Sequence, residues 1–270
     1  MLPGQKVTLR TYCKQLVSSA GKQSIQIDLK RPLHKDIFLH IVDRSDVLID
    51  PYRPGVLERL GLGPSVLIQR NPKLIVARLS GWGHTGPLAS APGHDLNYLA
   101  MTGILSTFAK SPTETPYPPH NLLADMAGGG LMCAFGILLA LAERSKSGKG
   151  QIIDSAMVDG VIYLSSFVFH MKALDLWARP VGRNLLDTGA FFYNIYRCSD
   201  GKDVAVGCLE PRFYKAFLKA LWPHISAEHR QVIGGTEQYN SDQWPSMKSL
   251  FSSIFSSKSR DQWTQIVLFT

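Results

Sequence analysis

Cysteine is scarce in this chain, and the four present (Cys13, Cys133, Cys198 and Cys208) form no CxxC pair and no metal-ligand spacing. That argues against a disulfide frame or a zinc module and for buried thiols in a reducing compartment. Long apolar runs are missing too. The longest, Leu131 to Ala142, falls short of the ~20 residues of a membrane span, and Gly128–Gly130 and Asp125 precede it. The start, MLPGQKVTLR, lacks the apolar core of a secretory signal. Three catalytic signatures go unread as well: no GxxxxGK[ST], no dinucleotide fingerprint behind a strand, and no GxSxG. P-loop, nicotinamide and serine-hydrolase chemistry therefore have no direct support. Charged residues are only 19% of the 270, against 45% hydrophobic. Such a chain is neither disordered nor low in complexity, and it is long enough for one large domain or two small ones. The 29 Lys+Arg outweigh the 21 Asp+Glu, for a net charge of +8. Residues 1–35, with seven basic side chains and the single acid Asp28, carry +6 of it. That balance suits nucleic acid, an anionic membrane or an acidic small ligand; no nucleic-acid motif or basic-aromatic interleaving supports the first.

What is present reads as an α/β protein. A leader of residues 1–20 has no clear period. SIQIDL alternates as a half-buried strand (Ile25, Ile27, Leu29), and a helix follows over about 33–42 with Leu33, Ile37 and Ile41 on one face. DVLID and LIVARLSG read as strands around a short helix opened by Pro54 and closed by Gly61 and Gly63. This alternation predicts an open parallel sheet. The middle brings a Gly/Pro loop over 81–93, a helix from His94 to Leu105, a proline-rich loop, and a strongly apolar helix over about 121–144. Its near-continuous apolar character predicts a place at the centre of the fold. Residues 192–209 read as a β-hairpin turning at Ser199–Lys202, with helices after it. The expected organisation is a leader (1–20), an α/β part with central helices (21–185) and a smaller hairpin-and-helix α+β part (186–270).

Asp125 is the most unusual residue. A carboxylate in an apolar helix, followed at once by Ala127 and three glycines, costs ion burial and ~1 kcal/mol of helix propensity per glycine. Burial would tune it for acid/base work; equally, it could simply cap a helix that starts later. His94 opens a helix at the edge of a loop, a good place for a general base, although any of eight histidines is more often structural. Glu210, ahead of Pro211, reads alone as a solvated strand end. Lys30, Arg53 and Arg59 lie at or beyond strand ends, where open parallel sheets bind ligands and cations hold phosphates; ordinary surface charge is the plainer reading of each.

Seven segments in order carry a resemblance: GKQSIQIDLK, RSDVLIDPYRPGVLERLGLGP, NPKLIVARLSGWG, GHDLNYLAMTGILS, NLLADMAGGGLMCAFGILLAL, SGKGQIIDSAMVDG and FFYNIYRCSDGKDVAVGCLEPRFY. From about Gly21 to Val267 the chain resembles the alpha-methylacyl-CoA racemases of the family III CoA-transferase superfamily. The resemblance implies that family's fold, with a Rossmann-like sheet that is incomplete here. It makes His94 of GHD and Asp125 of LLADMAGGG the two acid/base residues, with Glu210 orienting the histidine. It assigns CoA-thioester contacts to Ile27, Asp28, Leu29 and Lys30 and to Gly93, His94, Asp95, Leu96, Asn97 and Tyr98, and places Arg53 and Arg59 toward the nucleotide part of CoA. It implies no cofactor and no metal, since CoA is part of the substrate. It also implies a homodimer and a peroxisomal or mitochondrial location, with the cytosol open because no targeting signal is visible.

Racemisation then needs two bases on opposite faces of the alpha carbon, one protonated while the other is not, and donors for the enolate oxygen. Amides near Gly128–Gly130 or at a helix N-terminus are candidates for that role. Two departures stand out: the leader does not resemble the family's usual first strand and helix, and the chain stops at QIVLFT. A shortened, weakly active or inactive form is therefore expected. Two other readings compete with racemisation: a family III CoA-transferase with Asp125 as nucleophile, and a non-catalytic partner of a longer relative.

Overall fold

The computed structural model describes residues 21–267; the leader, with Cys13 and the basic Lys6, Arg10 and Lys14, lies outside the described residues. Three strands form one parallel sheet in the order β1 (Val47–Asp50), β2 (Ile75–Ser80) and β3 (Ile152–Ala156). Val47 pairs with Ile75, and Ala77 pairs with Ile153. Central β2 is the most buried strand, and its Ile75, Val76 and Ala77 are fully buried. Period-2 alternation sends Leu74 and Val76 to one face, where they meet Val42, Leu57, Leu62 and Leu67. These come from α1 (Pro32–Val42), the short α2 (Val56–Arg59), the turn after it and α3 (Pro64–Arg70). Pro32 and Pro64 each open a helix where a missing amide proton costs nothing.

The opposite face is covered by α5 (Leu122–Ser147). Its second half, Met132–Ser147, packs on β2 and β3, with Gly136 against Ile153. Arg144 ties this end down: its guanidinium donates to the Lys73 carbonyl at 3.0 Å and pairs with Asp46 at 2.8 Å. The first half, Leu122–Leu131, is wound wide, as a π-helix with one extra residue per hydrogen-bonded loop. It crosses α6 (Met157–Leu164) so closely that a Cβ on Gly160 would lie 2.0 Å from the Gly128 carbonyl oxygen. Ser165 then breaks the apolar run, and α7 (Ser166–Ala173) follows.

A second core gathers around the antiparallel hairpin β4 (Tyr193–Arg197) and β5 (Asp203–Gly207). Helices α8 (Pro211–Leu221), α9 (Ala227–Gly234), α10 (Trp244–Phe255) and α11 (Arg260–Val267) enclose it. The core is aromatic: Phe191, Phe192, Phe217, Phe251, Phe255 and Trp263 are all buried. Trp263 satisfies its indole by donating to the Phe255 carbonyl at 2.8 Å.

Three expectations from the pattern change. SIQIDL is not a strand; residues 22–28 are irregular, Ile25 is 65% exposed, and Asp28 instead makes the turn into α1 by accepting from the Lys30 amide. An alternating stretch needs a neighbouring strand, and this one pairs with none among the described residues. On α1 the stripe Leu33–Ile37–Ile41 faces outward, while Phe38, Leu39 and Val42 face the core. Helix α5 is not central either. Leu122, Met126, Leu131, Phe135, Leu138 and Leu139 are all more than half exposed. With a mean hydropathy of 1.8 in its best window, α5 is long and apolar enough to cross a membrane by length and composition, although one face packs on the sheet and α6.

Candidate active site

The site grows from two helix starts. His94 is the exposed residue ahead of α4 (Asp95–Thr102) and has extended backbone. The Asn97 side chain folds back to accept the His94 amide at 3.0 Å, and the Asn97 and Tyr98 amides donate to the His94 carbonyl. The helix start thus fixes the main chain of His94 and leaves its imidazole open to solvent. Asp125 sits one turn into α5, half-buried, with Asn121 Nδ2 donating to its Oδ2 at 2.9 Å. It lies inside the helix, so the capping alternative falls. The burial expected to tune it is only partial.

Asp95 joins the two. It is 1% exposed, and its Oδ2 accepts the amides of Ala124 (2.8 Å) and Asp125 (2.9 Å). An α-helix leaves its first amides unsatisfied, and a carboxylate at that end also meets the positive pole of the helix dipole. The residue next to His94 therefore caps the helix that carries Asp125. Tyr98 lies beneath them, buried among Leu99, Ile104, Ala124 and Val161 and edge-on to Trp82 at 4.7 Å. Glycine at 81 and 93 makes room for its ring; a Cβ at either would collide with it. Burial pushes the Tyr98 phenol up, the Asp125 charge adds to the rise, and the Arg53 guanidinium opposes it. Arg53, Tyr98 and Asp125 therefore share one electrostatic neighbourhood.

His94 and Asp125, at two helix starts joined by Asp95 with an arginine in the same electrostatic neighbourhood, form the candidate site. A family model for CoA-transferase family III matches residues 11–268. The chain belongs to CoA-transferase family III. It is 49% identical to the alpha-methylacyl-CoA racemase of Mus musculus over 91% of this chain and 62% of that protein. It is 41% identical to a CaiB/BaiF CoA-transferase family protein of Caenorhabditis elegans, over 91% of this chain and 69% of that one. A crystal structure of a probable fatty acyl-CoA transferase of Mycobacterium tuberculosis superposes with TM-score 0.73 at 27% identity, covering 92% of this chain and 64% of the other. The chain thus spans about three-fifths of the length of the racemase it matches.

Within this family III fold the other expected residues scatter. Leu96 and Asn97 are open to solvent beside His94, whereas Asp95 and Tyr98 point inward, so their side chains shape the site rather than line its mouth. Arg59 is exposed and lies along Gly55; in Ile27–Lys30, Asp28 and Lys30 are exposed, Ile27 and Leu29 are half-buried, Leu29 packs against the core beside the sheet, and the hydrogen bonds are local. Glu210 opens α8, which packs on α11 and on the turn that follows α8; no hydrogen bond joins it to His94 among the described residues. Gly128 and Gly129 face α6, where a Cβ on either would press on Met157. These glycines serve helix packing, and their side of α5 is taken up by α6.

Two features escaped the sequence reading. Gly81-Trp82-Gly83-His84-Thr85-Gly86 does spell GxGxxG directly after β2. It opens no helix, however: residues 81–94 are irregular, so the phosphate-binding helix terminus is missing. The second is a charged cluster at the C-terminal edge of the sheet. Arg78 pairs with buried Asp50 at 3.3 Å and with Glu58 at 2.9 Å, and the His84 amide donates to Asp154 at 3.0 Å. Both His84 ring nitrogens are buried without a hydrogen bond. Alternation marked the strands, but no local pattern shows that three of them deliver charges to one corner.

Proposed function

We propose that the chain racemises 2-methylacyl-CoA thioesters by two-base proton transfer at the alpha carbon. The observation that carries this reading is the Asp95 carboxylate, which brings the helix of Asp125 to the start of the helix behind His94. The likeness to the mouse racemase supports it. A proton alpha to a thioester is weakly acidic, and inversion requires its removal from one face and return to the other. His94 serves one face and Asp125 the other; each is base in one direction and acid in the reverse. The first amides of α4 stabilise the enolate oxygen. Arg53, with Arg59 beyond it, meets the phosphates of CoA, and CoA itself activates the substrate without a further cofactor. The working form is a homodimer in which the exposed apolar face of α5 is covered by a second copy.

The test is deuterium wash-in at the alpha carbon of a 2-methylacyl-CoA in heavy water, followed by chiral analysis. Racemisation predicts exchange with inversion, lost in His94→Ala and in Asp125→Ala. Acyl transfer to a second acid without exchange, with a trapped Asp125 adduct, establishes the transferase reading instead.

A further inference from the structure

His94 and Asp125 lie on separate helices, and a proton relay across one carbon needs their spacing held to a fraction of an ångström. The local sequence holds the Asp125 carboxylate through one bond, from Asn121 Nδ2 to its Oδ2 at 2.9 Å, but does little to fix its main chain. Asn121, ahead of α5, is left-handed (φ 60°) and gives no side-chain cap. The first turns are wound wide, with the Met126 amide reaching back to the Asn121 carbonyl at 3.3 Å. Three glycines follow. The restraint comes instead from Asp95, thirty residues upstream, through two charge-assisted bonds to the Ala124 and Asp125 amides. Asp95 is buried, and its Oδ1 has no partner. A buried carboxylate with one orphan oxygen is costly, and an apolar residue would pack there at less expense.

We propose that Asp95 is a positioning residue for the acid/base pair: its carboxylate sets the place and rotation of Asp125 against His94 without touching the substrate. The roles of His94 and Asp125 rest on the racemase reading above; the mechanical link does not. If Asp95 acts through Asp125 alone, its loss disables one face of the reaction and spares the other. In Asp95→Ala, inversion falls by about 10- to 100-fold in both directions, the size expected for an ångström-scale misplacement. The epimer whose alpha proton faces His94 still exchanges that proton with heavy water at close to the wild-type rate, now mostly with retention. The opposite epimer exchanges about 10- to 100-fold more slowly. Asp95→Asn keeps an acceptor of the same shape and restores much of the inversion. A merely structural role would instead slow both epimers alike.

Amide hydrogen exchange is measured on the same variants. Asp95→Ala speeds exchange at Ala124 and Asp125 while the amides of α8 and α10 keep their protection. Unchanged protection at those two amides, equal loss of exchange from both epimers, or undiminished inversion in Asp95→Ala overturns the proposal. If the unaltered protein exchanges neither epimer, the racemase reading fails by itself, and the amide measurement still decides the link between Asp95 and Asp125.

Discussion

Single side chains in this protein owe their properties to neighbours distant in sequence. His84 is the clearest case. Burial pushes its imidazole below the usual range, Arg78 adds to the effect, and Asp154, Asp50 and Glu58 oppose it without prevailing. A histidine depressed in the folded state takes up a proton more readily when unfolded. Its contribution to stability is therefore complete above the ordinary value of ~6.5 and is lost as pH falls below it toward the folded value. Chemical denaturation at several pH values should show the midpoint dropping in that window. In His84→Gln the drop should shrink; an identical pH profile in the variant would exclude His84 as its source. The nearby Glu58 is held low even though its burial acts the other way, because its own backbone bond and Arg78 outweigh burial. Tyr214, whose hydroxyl is buried without a partner, is pushed up to about 12 by desolvation. It stays neutral at any pH the protein meets.

Among the elements, the crossing of α5 and α6 depends on glycine. Gly160 and Gly128 meet backbone to backbone, so an added methyl group must push the helices apart. Gly160→Ala should cost about 1–3 kcal/mol, as overpacking does, and lower the melting temperature by roughly 2–4 °C per kcal/mol. Inversion activity should fall further than stability predicts, because α5 carries Asp125. A variant with normal melting and normal activity would mean that the crossing is looser than described. The elements themselves were largely legible: apolar runs bounded by Gly and Pro marked β1, β2, the hairpin and the helix behind His94. Periodicity tells which residues share a face but not which face is covered. That is why Leu33, Ile37 and Ile41 read as a core stripe and lie outside, and why α5 read as central and is half bare. SIQIDL failed for the same reason, since a strand exists only beside another strand. His94 and Asp125 could be singled out from a family motif, but the bond joining their two helices could not. Asp95 looks like any polar residue in a helix until Ala124 and Asp125 arrive beside it.

At the scale of the whole molecule, the exposed apolar residues of α5 are the dominant surface feature. Leu131, Phe135, Leu138 and Leu139 are each more than half exposed, with Ile162, Tyr163 and Phe167 of α6 and α7 also open. So many large apolar side chains left exposed on neighbouring helices point to an interaction face. Sedimentation of the purified chain should reveal a dimer. The pair Leu138→Glu and Leu139→Glu, which disturbs little within one copy because both side chains are already exposed, should yield monomers. Monomers that keep full activity would separate association from catalysis.

One consequence follows from the wide winding at the head of α5. In a regular helix the Asp125 amide would donate to the Asn121 carbonyl, four residues back. The extra residue in each loop hands that carbonyl to the Met126 amide and leaves the Asp125 amide over, which is how it comes to donate to Asp95. The wide pitch is thus a berth kept open for a carboxylate from elsewhere in the chain. Tightened to ordinary pitch, the helix would satisfy that amide from within, and the tie to Asp95 would lose one of its two strands.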